Sequence, residues 1–202
     1  MDIKLYYTPR TRAIRVRWLL EELSLPYQLI PVDLFHGEGN SDAYKTIHPL
    51  GCVPAIDIDG KVMIESGAIC AWLTDQYPDK QLAPQANHAL RRDYEQWMYF
   101  VPGTLEPPIW DYVLHKFLLP RKERIRTVVP WSLERYQKVL KLLNLELGNR
   151  HYIIGDDFST ADILAGSTLM WKIDELERYP NLSGYVKRLN KRNAYVNALQ
   201  AI

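Results

Sequence analysis

The sequence predicts a small mixed α/β unit followed by an all-helical unit. Residues 1–78 alternate between strand and helix patterns and include a strand–turn–strand hairpin. A polar stretch that contains Pro84, residues 79–87, is the predicted linker. Residues 88–202 carry helical patterns and no convincing strand pattern. We therefore expect a mixed four-stranded sheet with helices on its faces in the first unit, and helices alone in the second.

Strand and helix patterns follow one another in the first unit. The alternating strand formers of Ile3–Tyr7 predict the first strand, and Ala13–Leu23 has the apolar spacing of an amphipathic helix. Residues 27–32 predict the second strand. A polar loop over residues 35–41 and a short helix through Thr46 follow, so the order strand–helix–strand–helix precedes the hairpin.

The hairpin lies within residues 48–72. Asp59 and Gly60 form its predicted turn, and Pro54 begins its first strand. Proline has no N–H for a sheet ladder. If the Val53–Pro54 bond is cis, the N–H and C=O of Val53 face outward and can pair with an extended peptide. About 5–6% of X-Pro bonds in folded proteins are cis, so a trans bond is the alternative.

A helix is expected to begin at Glu65 and Ser66, directly after the hairpin. The first turn of a helix has N–H groups without intrahelical partners and a positive dipole end, and both attract a carboxylate. A plain N-cap is the alternative role of Ser66. Together with the backbone of Val53, this helix start predicts a pocket for a small, acidic, peptide-like ligand.

The second unit is expected to open with a helix over residues 89–101. Two proline-containing pairs, at 102–103 and 107–108, interrupt or kink it. Residues 124–147 form a long helix that Pro130 can shorten at its start.

A further helix start is predicted at Ser159, with Asp162 three residues on as a variant of the capping box. Phe158 and Ile163 can add a hydrophobic staple. This signal is structural, not catalytic. Helices over residues 181–190 and 194–202 complete the chain.

The composition argues against several classes of protein. The formal net charge is +1, so no strong field favours nucleic acid. The two cysteines, Cys52 and Cys70, have neither CxxC nor metal-ligand spacing, which fits a reducing compartment and predicts no metal site. We see no signal-peptide pattern and no apolar run of about 18 residues, so we expect a cytoplasmic protein with no membrane partner.

Segments in both halves resemble the cytosolic glutathione transferase family, whose first domain is thioredoxin-like. A Glu-Ser-x-Ala-Ile run after a Val-Pro strand start is specific to this family, and the Ser-Thr-Ala-Asp helix start supports the resemblance. The matching segments are Leu5-Tyr6-Tyr7, Arg15 with Trp18-Leu19-Leu20-Glu21-Glu22-Leu23, His48-Pro49-Leu50-Gly51-Cys52-Val53-Pro54-Ala55, Glu65-Ser66-Gly67-Ala68-Ile69 and Ser159-Thr160-Ala161-Asp162.

The resemblance implies that glutathione is the ligand and co-substrate. In the family, the residue before the cis-proline makes paired backbone hydrogen bonds with the cysteinyl part of glutathione. Val53, ahead of Pro54, holds that place. The family's Glu/Gln-Ser pair binds the γ-glutamyl end, which implies that role for Glu65 and Ser66: Ser66 binds the carboxylate and Glu65 pairs with the amino group.

Cys52 departs from the family pattern. Its position is often Lys or Gln and helps to hold the glycyl carboxylate, which Cys does poorly. Lys45, His36 or Arg12 can take over this role, or binding is weaker. We interpret Cys52 as a small half-buried apolar residue. A thiol that forms a mixed disulfide with glutathione is the alternative.

Catalysis requires a thiolate, which a hydroxyl at the N-terminus of the first helix can stabilise together with the helix dipole. The theta-like classes use a Ser four residues before an Arg, and Thr11 holds that place ahead of Arg15. Thr11-Arg12 also resembles the Ser-Arg pair of a bacterial and fungal group. Other classes use a Tyr that ends the first strand, as Tyr7 does, and Thr8 is a further candidate. The alternatives are a core position for Tyr7 and a helix N-cap for Thr11.

The resemblance also implies an electrophile site in the helical unit, to which we assign Tyr99, Trp110 and Tyr112, and a homodimer. We expect a glutathione S-transferase that conjugates glutathione to small hydrophobic electrophiles. One alternative is a glutathione-dependent peroxidase or disulfide reductase, in which glutathione supplies the sulfur because the loop has no Cys. Another is a non-catalytic interaction protein with this fold.

Overall fold

The computed structural model describes residues 1–200 and divides the chain into two units. The sheet unit consists of Met1–Ala83 and the C-terminal segment from Asn190 onward, and the helical unit is Pro84–Leu189. The sequence-based division placed that C-terminal segment with the helical unit. The structure groups it with the sheet unit because its helix packs on the first helix of the chain.

The sheet unit contains the expected mixed four-stranded sheet. Its strands are β1 (Ile3–Tyr7), β2 (Gln28–Pro31), β3 (Ala55–Ile58) and β4 (Lys61–Ile64), in the spatial order β2-β1-β3-β4. β1 runs parallel to β2 and antiparallel to β3, and β3 and β4 form the antiparallel hairpin. Asp59 and Gly60 both have positive φ, 51° and 82°, as a two-residue type I′ turn requires.

Four α-helices lie in the part of the sheet unit that the structure describes. They are α1 (Ala13–Leu23), α2 (Asp42–Lys45), α3 (Ser66–Gln76) and α9 (Asn193–Ala198). α1 ends at Leu23, and the next residue, Ser24, caps it in a left-handed conformation (φ 58°), with its N–H donating to carbonyls of the last turn. The helix expected over residues 194–202 is shorter in the structure, and its last two predicted residues lie outside the described part of the chain.

A cluster of polar and aromatic contacts holds the C-terminal segment on α1. Arg192 donates two hydrogen bonds to the Glu22 carboxylate, at 2.7 and 2.9 Å. The indole N–H of Trp18 donates to the same carboxylate at 2.9 Å, and the Tyr195 ring packs 4.6 Å from the Trp18 ring. Arg192 and Tyr195 are each about 170 residues from their partners on α1, so no local sequence pattern reveals these contacts.

The helical unit contains α4 (Arg91–Phe100), α5 (Glu106–Val113), α6 (Val128–Leu147), α7 (Thr160–Leu169) and α8 (Pro180–Leu189). The expected interruption after α4 takes the form of a π-helical turn, Val101–Leu105, rather than a break. Its closing bond runs from the Glu106 N–H to the Val101 carbonyl, so the wider turn accommodates Pro102, which has no N–H to donate. A second π-helical turn, Leu114–Leu118, follows α5.

α7 begins at the predicted capping box. The Asp162 carboxylate accepts hydrogen bonds from the Ser159 N–H and hydroxyl, both at 2.8 Å. It also accepts from the Ile153 N–H and the Tyr185 hydroxyl, each at 2.8 Å. Asp162 is fully buried. Through these hydrogen bonds its carboxylate joins the start of α7, the segment at Ile153 and α8.

No helix among residues 1–200 is both long enough and apolar enough to cross a membrane.

Candidate active site

The strand register brings three site segments to one end of the sheet. Tyr6 pairs with Ala55, so the loop after β1 lies beside the chain that enters β3. Ala55 pairs with Ile64, so the exit from β4 lies on the other side of that entry. The loop that bears Thr11, the Val53–Pro54 pair and the start of α3 at Ser66 therefore lie at the same end.

Val53 presents backbone groups that the fold does not use. The Val53–Pro54 peptide bond is cis. Neither the N–H nor the C=O of Val53 has a hydrogen-bond partner among residues 1–200. The hydroxyl of Tyr44 donates to the preceding carbonyl, that of Cys52, at 2.7 Å and so fixes this loop to α2. An extended peptide can therefore pair with Val53 without displacing any internal bond.

Glu65 has a strained backbone. Its φ of 71° and ψ of 105° are unusual for a residue with a Cβ, and such conformations cost about 1–3 kcal/mol. Strain of this kind persists where the surrounding structure imposes it, and it is concentrated at ligand sites. The Glu65 side chain is exposed at the start of α3, where it is available to a ligand.

Ser66, the first residue of α3, is buried and hydrogen-bonded. The Nη1 atom of Arg15, on α1, donates to Ser66 Oγ at 3.1 Å. Arg15 is itself 2% exposed. In the sequence, Arg15 is part of a matching motif, and no role was predicted for it. A charged residue inside the apolar pattern of α1 was the signal that could have revealed this contact.

The Thr11 hydroxyl is half-buried at the start of α1. It donates to the Thr8 carbonyl at 2.7 Å and accepts from the Ala13 N–H at 3.3 Å. Thr8 is buried, and its hydroxyl donates to the Val32 carbonyl at 2.6 Å. Thr8 is therefore occupied in joining β1 to the end of β2, whereas Thr11 can exchange its short local bond for a ligand. Arg12 follows Thr11 and is half-buried as well.

Tyr7 lies in the core of the sheet unit. It is 3% exposed, and the Arg17 guanidinium lies 5.3 Å from the centre of its ring. Arg17 also donates to the Tyr27 hydroxyl and to the Gln200 carbonyl. These surroundings favour the core role that the sequence analysis kept as the alternative for Tyr7.

The two cysteines have opposite environments, and both are free thiols. Cys70, on α3, is fully buried, and burial raises the pKa of its thiol to about 12, against the opposing charge of Arg15. Cys52 is exposed, with Sγ 3.5 Å from the Leu50 carbonyl. The half-buried position expected for Cys52 is wrong because its loop directs the side chain to the surface.

Native protein at pH 8 should take up one equivalent of iodoacetamide, on Cys52, and denatured protein should take up two. The Cys70 thiol stays protonated and inaccessible in the fold, and the thiolate is the reactive species. Mass spectrometry of the labelled peptides measures this. Cys52→Ser protein should remain unlabelled when native, and rapid labelling of Cys70 would contradict the buried placement.

Lys45, the last residue of α2, and His36, at the end of a short 3-10 turn, are both exposed. The His36 Nδ1 atom lies 2.6 Å from an Asp33 carboxylate oxygen. That contact, together with the bond from the His36 N–H, lowers the pKa of Asp33. His36 is therefore engaged with Asp33, whereas Lys45 has an exposed ammonium at the end of α2.

The three predicted electrophile-site aromatics lie in the helical unit. Tyr99 is 75% exposed on α4. Trp110 packs 6.1 Å from Trp171, and Tyr112 packs against Phe117 at 6.0 Å. Trp110 and Tyr112, both on α5, are thus each packed against another aromatic ring. Among residues 1–200, no group of three or more His, Cys, Asp or Glu side chains could hold a metal ion.

Comparisons with known proteins match both units. Residues 11–76 match the N-terminal domain model of glutathione S-transferases, and residues 108–193 match the C-terminal domain model. Glutathione S-transferase hmp2 of Hypomyces subiculosus is 30% identical, with 98% of each chain covered. Disulfide-bond oxidoreductase YfcG of Escherichia coli K12 is 29% identical, over 98% of this chain and 94% of that protein.

A solved structure agrees with these relatives. The glutathione transferase of Burkholderia graminis, crystallised with two glutathione molecules per subunit, superposes with a TM-score of 0.87 at 25% identity. The match covers 98% of this chain and 87% of that one. Because both domain models match and a named transferase is 30% identical over 98% of each chain, the chain belongs to the glutathione S-transferase family.

Proposed function

We propose that this protein binds glutathione in the sheet unit, stabilises its thiolate and adds it to small hydrophobic electrophiles. The observation that carries this proposal is the unpaired backbone of Val53 at the same sheet end as the start of α3. One site is suited to an extended peptide and the other to a carboxylate. Glutathione, an acidic tripeptide, supplies both groups, and a related transferase was crystallised with it.

Each part of glutathione has a matching group on the protein. The cysteinyl N–H and C=O pair with the Val53 backbone. The γ-glutamyl carboxylate accepts from the Ser66 hydroxyl and from the first N–H groups of α3, and the amino group pairs with Glu65. Lys45 is our preferred candidate for the glycyl carboxylate, because the Cys52 thiol is a poor partner for a carboxylate and His36 is engaged with Asp33.

Thr11 is our candidate for the thiolate donor, and Arg12 and Tyr7 are the weaker candidates. The pKa of a free thiol is about 8.5, so lowering that pKa by two units requires roughly 2.7 kcal/mol of extra stabilisation of the thiolate. A hydrogen bond from a hydroxyl group and the dipole of α1 can each contribute to this stabilisation. Thr11 must give up its bond to the Thr8 carbonyl to contact the sulfur. The assignment to a theta-like bacterial and fungal group rests on this Thr and stays a prediction.

The ultraviolet absorbance of bound glutathione thiolate, measured against pH, tests this mechanism. Wild type should show a depressed thiol pKa. Thr11→Val, which keeps the shape and removes the hydroxyl, should return it towards the free value, whereas Thr11→Ser should retain most of the shift. An equal shift in wild type and Thr11→Val would reassign the role. Binding without any shift would favour the disulfide chemistry below.

Disulfide reduction is the second candidate function. The relative named as a disulfide-bond oxidoreductase covers 98% of this chain, and residues 8–12 contain no Cys. Glutathione itself would then supply the attacking sulfur. Steady-state assays with an aromatic chloride and with a mixed disulfide of glutathione separate the two activities. We also propose that the protein is a cytoplasmic homodimer. The two free cysteines fit a reducing compartment such as the cytoplasm, and light scattering can measure the oligomeric state.

A further inference from the structure

Arg15 connects the two helices that carry the proposed glutathione site. α1 and α3 pack against each other, and Arg15 on α1 reaches across to Ser66 at the first position of α3. Both side chains are more than nine-tenths buried. The hydrogen bond between Arg15 and Ser66 places the guanidinium beside the first turn of α3.

The direction of the Arg15–Ser66 bond is fixed by chemistry. A guanidinium has N–H donors and no acceptor, so Ser66 Oγ must be the acceptor. A hydroxyl has one proton to donate, and that proton cannot point back at Arg15. Arg15 therefore occupies one lone pair of Ser66 and leaves its O–H directed elsewhere.

We propose that Arg15 is a positioning residue that makes Ser66 a dedicated donor to the γ-glutamyl carboxylate. This inference rests on the proposed glutathione site. Positive charge on the guanidinium polarises the serine hydroxyl, and a polarised hydroxyl is a stronger donor to an anion. Arg15 thus acts on the carboxylate through Ser66 without contacting the ligand.

Arg15→Met removes the donor and keeps the length of the side chain. We expect it to weaken glutathione binding roughly 10-fold. The decisive ligand is the analogue 4-aminobutyryl-Cys-Gly, which lacks the γ-glutamyl α-carboxylate. Its inhibition constant should change less than twofold. In the Ser66→Ala background, Arg15→Met should cause no further loss, because the hydroxyl through which it acts is already absent.

Arg17→Met is the matched control, since Arg17 is a buried arginine on the same helix with Tyr27 as its partner instead of Ser66. It should affect the two ligands equally. Arg15→Lys keeps the positive charge and is the second variant if Arg15→Met does not fold. It should weaken glutathione binding less than Arg15→Met does and leave the affinity for the analogue unchanged.

Equal losses for glutathione and the analogue, or additive losses with Ser66→Ala, would overturn the role of Arg15. Wild type that fails to bind glutathione would instead overturn the proposed function itself. Calorimetry for glutathione and competition for the analogue provide both measurements on the full chain.

Discussion

Replacing Asp162 by alanine is expected to lower the free energy of unfolding by roughly 3–5 kcal/mol. The carboxylate accepts four hydrogen bonds inside the helical unit, two of them from backbone N–H groups. Alanine leaves all four donors without their acceptor in a site that water does not reach. An unsatisfied buried donor costs about 1–3 kcal/mol, and the losses overlap because the donors share one acceptor.

Burial raises the pKa of the Asp162 carboxyl, and the four donors oppose that rise. Asp162→Asn keeps the volume and one accepting oxygen, so it should lose less stability than alanine. Asp157→Ala is the matched control, because Asp157 is exposed and a surface change of this kind costs within about 0.5 kcal/mol.

Urea unfolding with a probe in the helical unit measures the effect of Asp162→Ala. The midpoint should fall clearly for alanine, less for asparagine and hardly at all for the surface control. An Asp162→Ala protein with the wild-type midpoint would show that the capping network contributes little net stability.

Ser66→Ala is expected to weaken glutathione binding by roughly 10–150-fold while the fold stays intact. It removes the hydroxyl that we propose binds the ligand carboxylate, and a hydrogen bond to a charged group is worth about 1.5–3 kcal/mol. The first N–H groups of α3 remain and account for residual binding.

Glu65 provides the companion experiment. Glu65→Ala should weaken binding by a similar factor because the ligand ammonium loses its partner. Glu65→Gln should retain most of the affinity, since an amide oxygen still accepts from that ammonium. Isothermal calorimetry gives the affinities, and circular dichroism checks the fold. Normal binding by both Ser66→Ala and Glu65→Ala would show that the ligand site lies elsewhere.

Local patterns predicted those elements whose causes are local. β1 and α1 have the predicted bounds because alternation and helical spacing are properties of adjacent residues. The Asp59–Gly60 turn and the Ser159–Asp162 helix start also depend on neighbours within a few positions. The turn at Val101–Leu105 differs, because whether a proline breaks a helix or widens it depends on the packing around it.

Site residues divide in the same way. Val53, Glu65 and Ser66 were predicted as ligand contacts because the signals, a proline at a strand start and a helix start, each involve only a few adjacent residues. The exposure of Cys52, the core position of Tyr7 and the hydrogen bond of Arg15 required the folded chain. The contacts of Tyr7 and Arg15 involve partners from other elements, which the nearby sequence does not identify, and the exposure of Cys52 follows from the conformation of its loop.

By itself, the sequence determined the two-part architecture and the hairpin, and it indicated the segments that we propose bind glutathione. Only the tertiary structure decided that the C-terminal segment belongs to the sheet unit, where Arg192 binds Glu22, and that Arg15 supports Ser66. The physical reason is distance along the chain. Sequence periodicity, turn residues and helix caps reflect interactions between residues that are close together in the sequence. The hydrogen bonds of Arg192 and Arg15 instead join elements whose proximity arises only on folding.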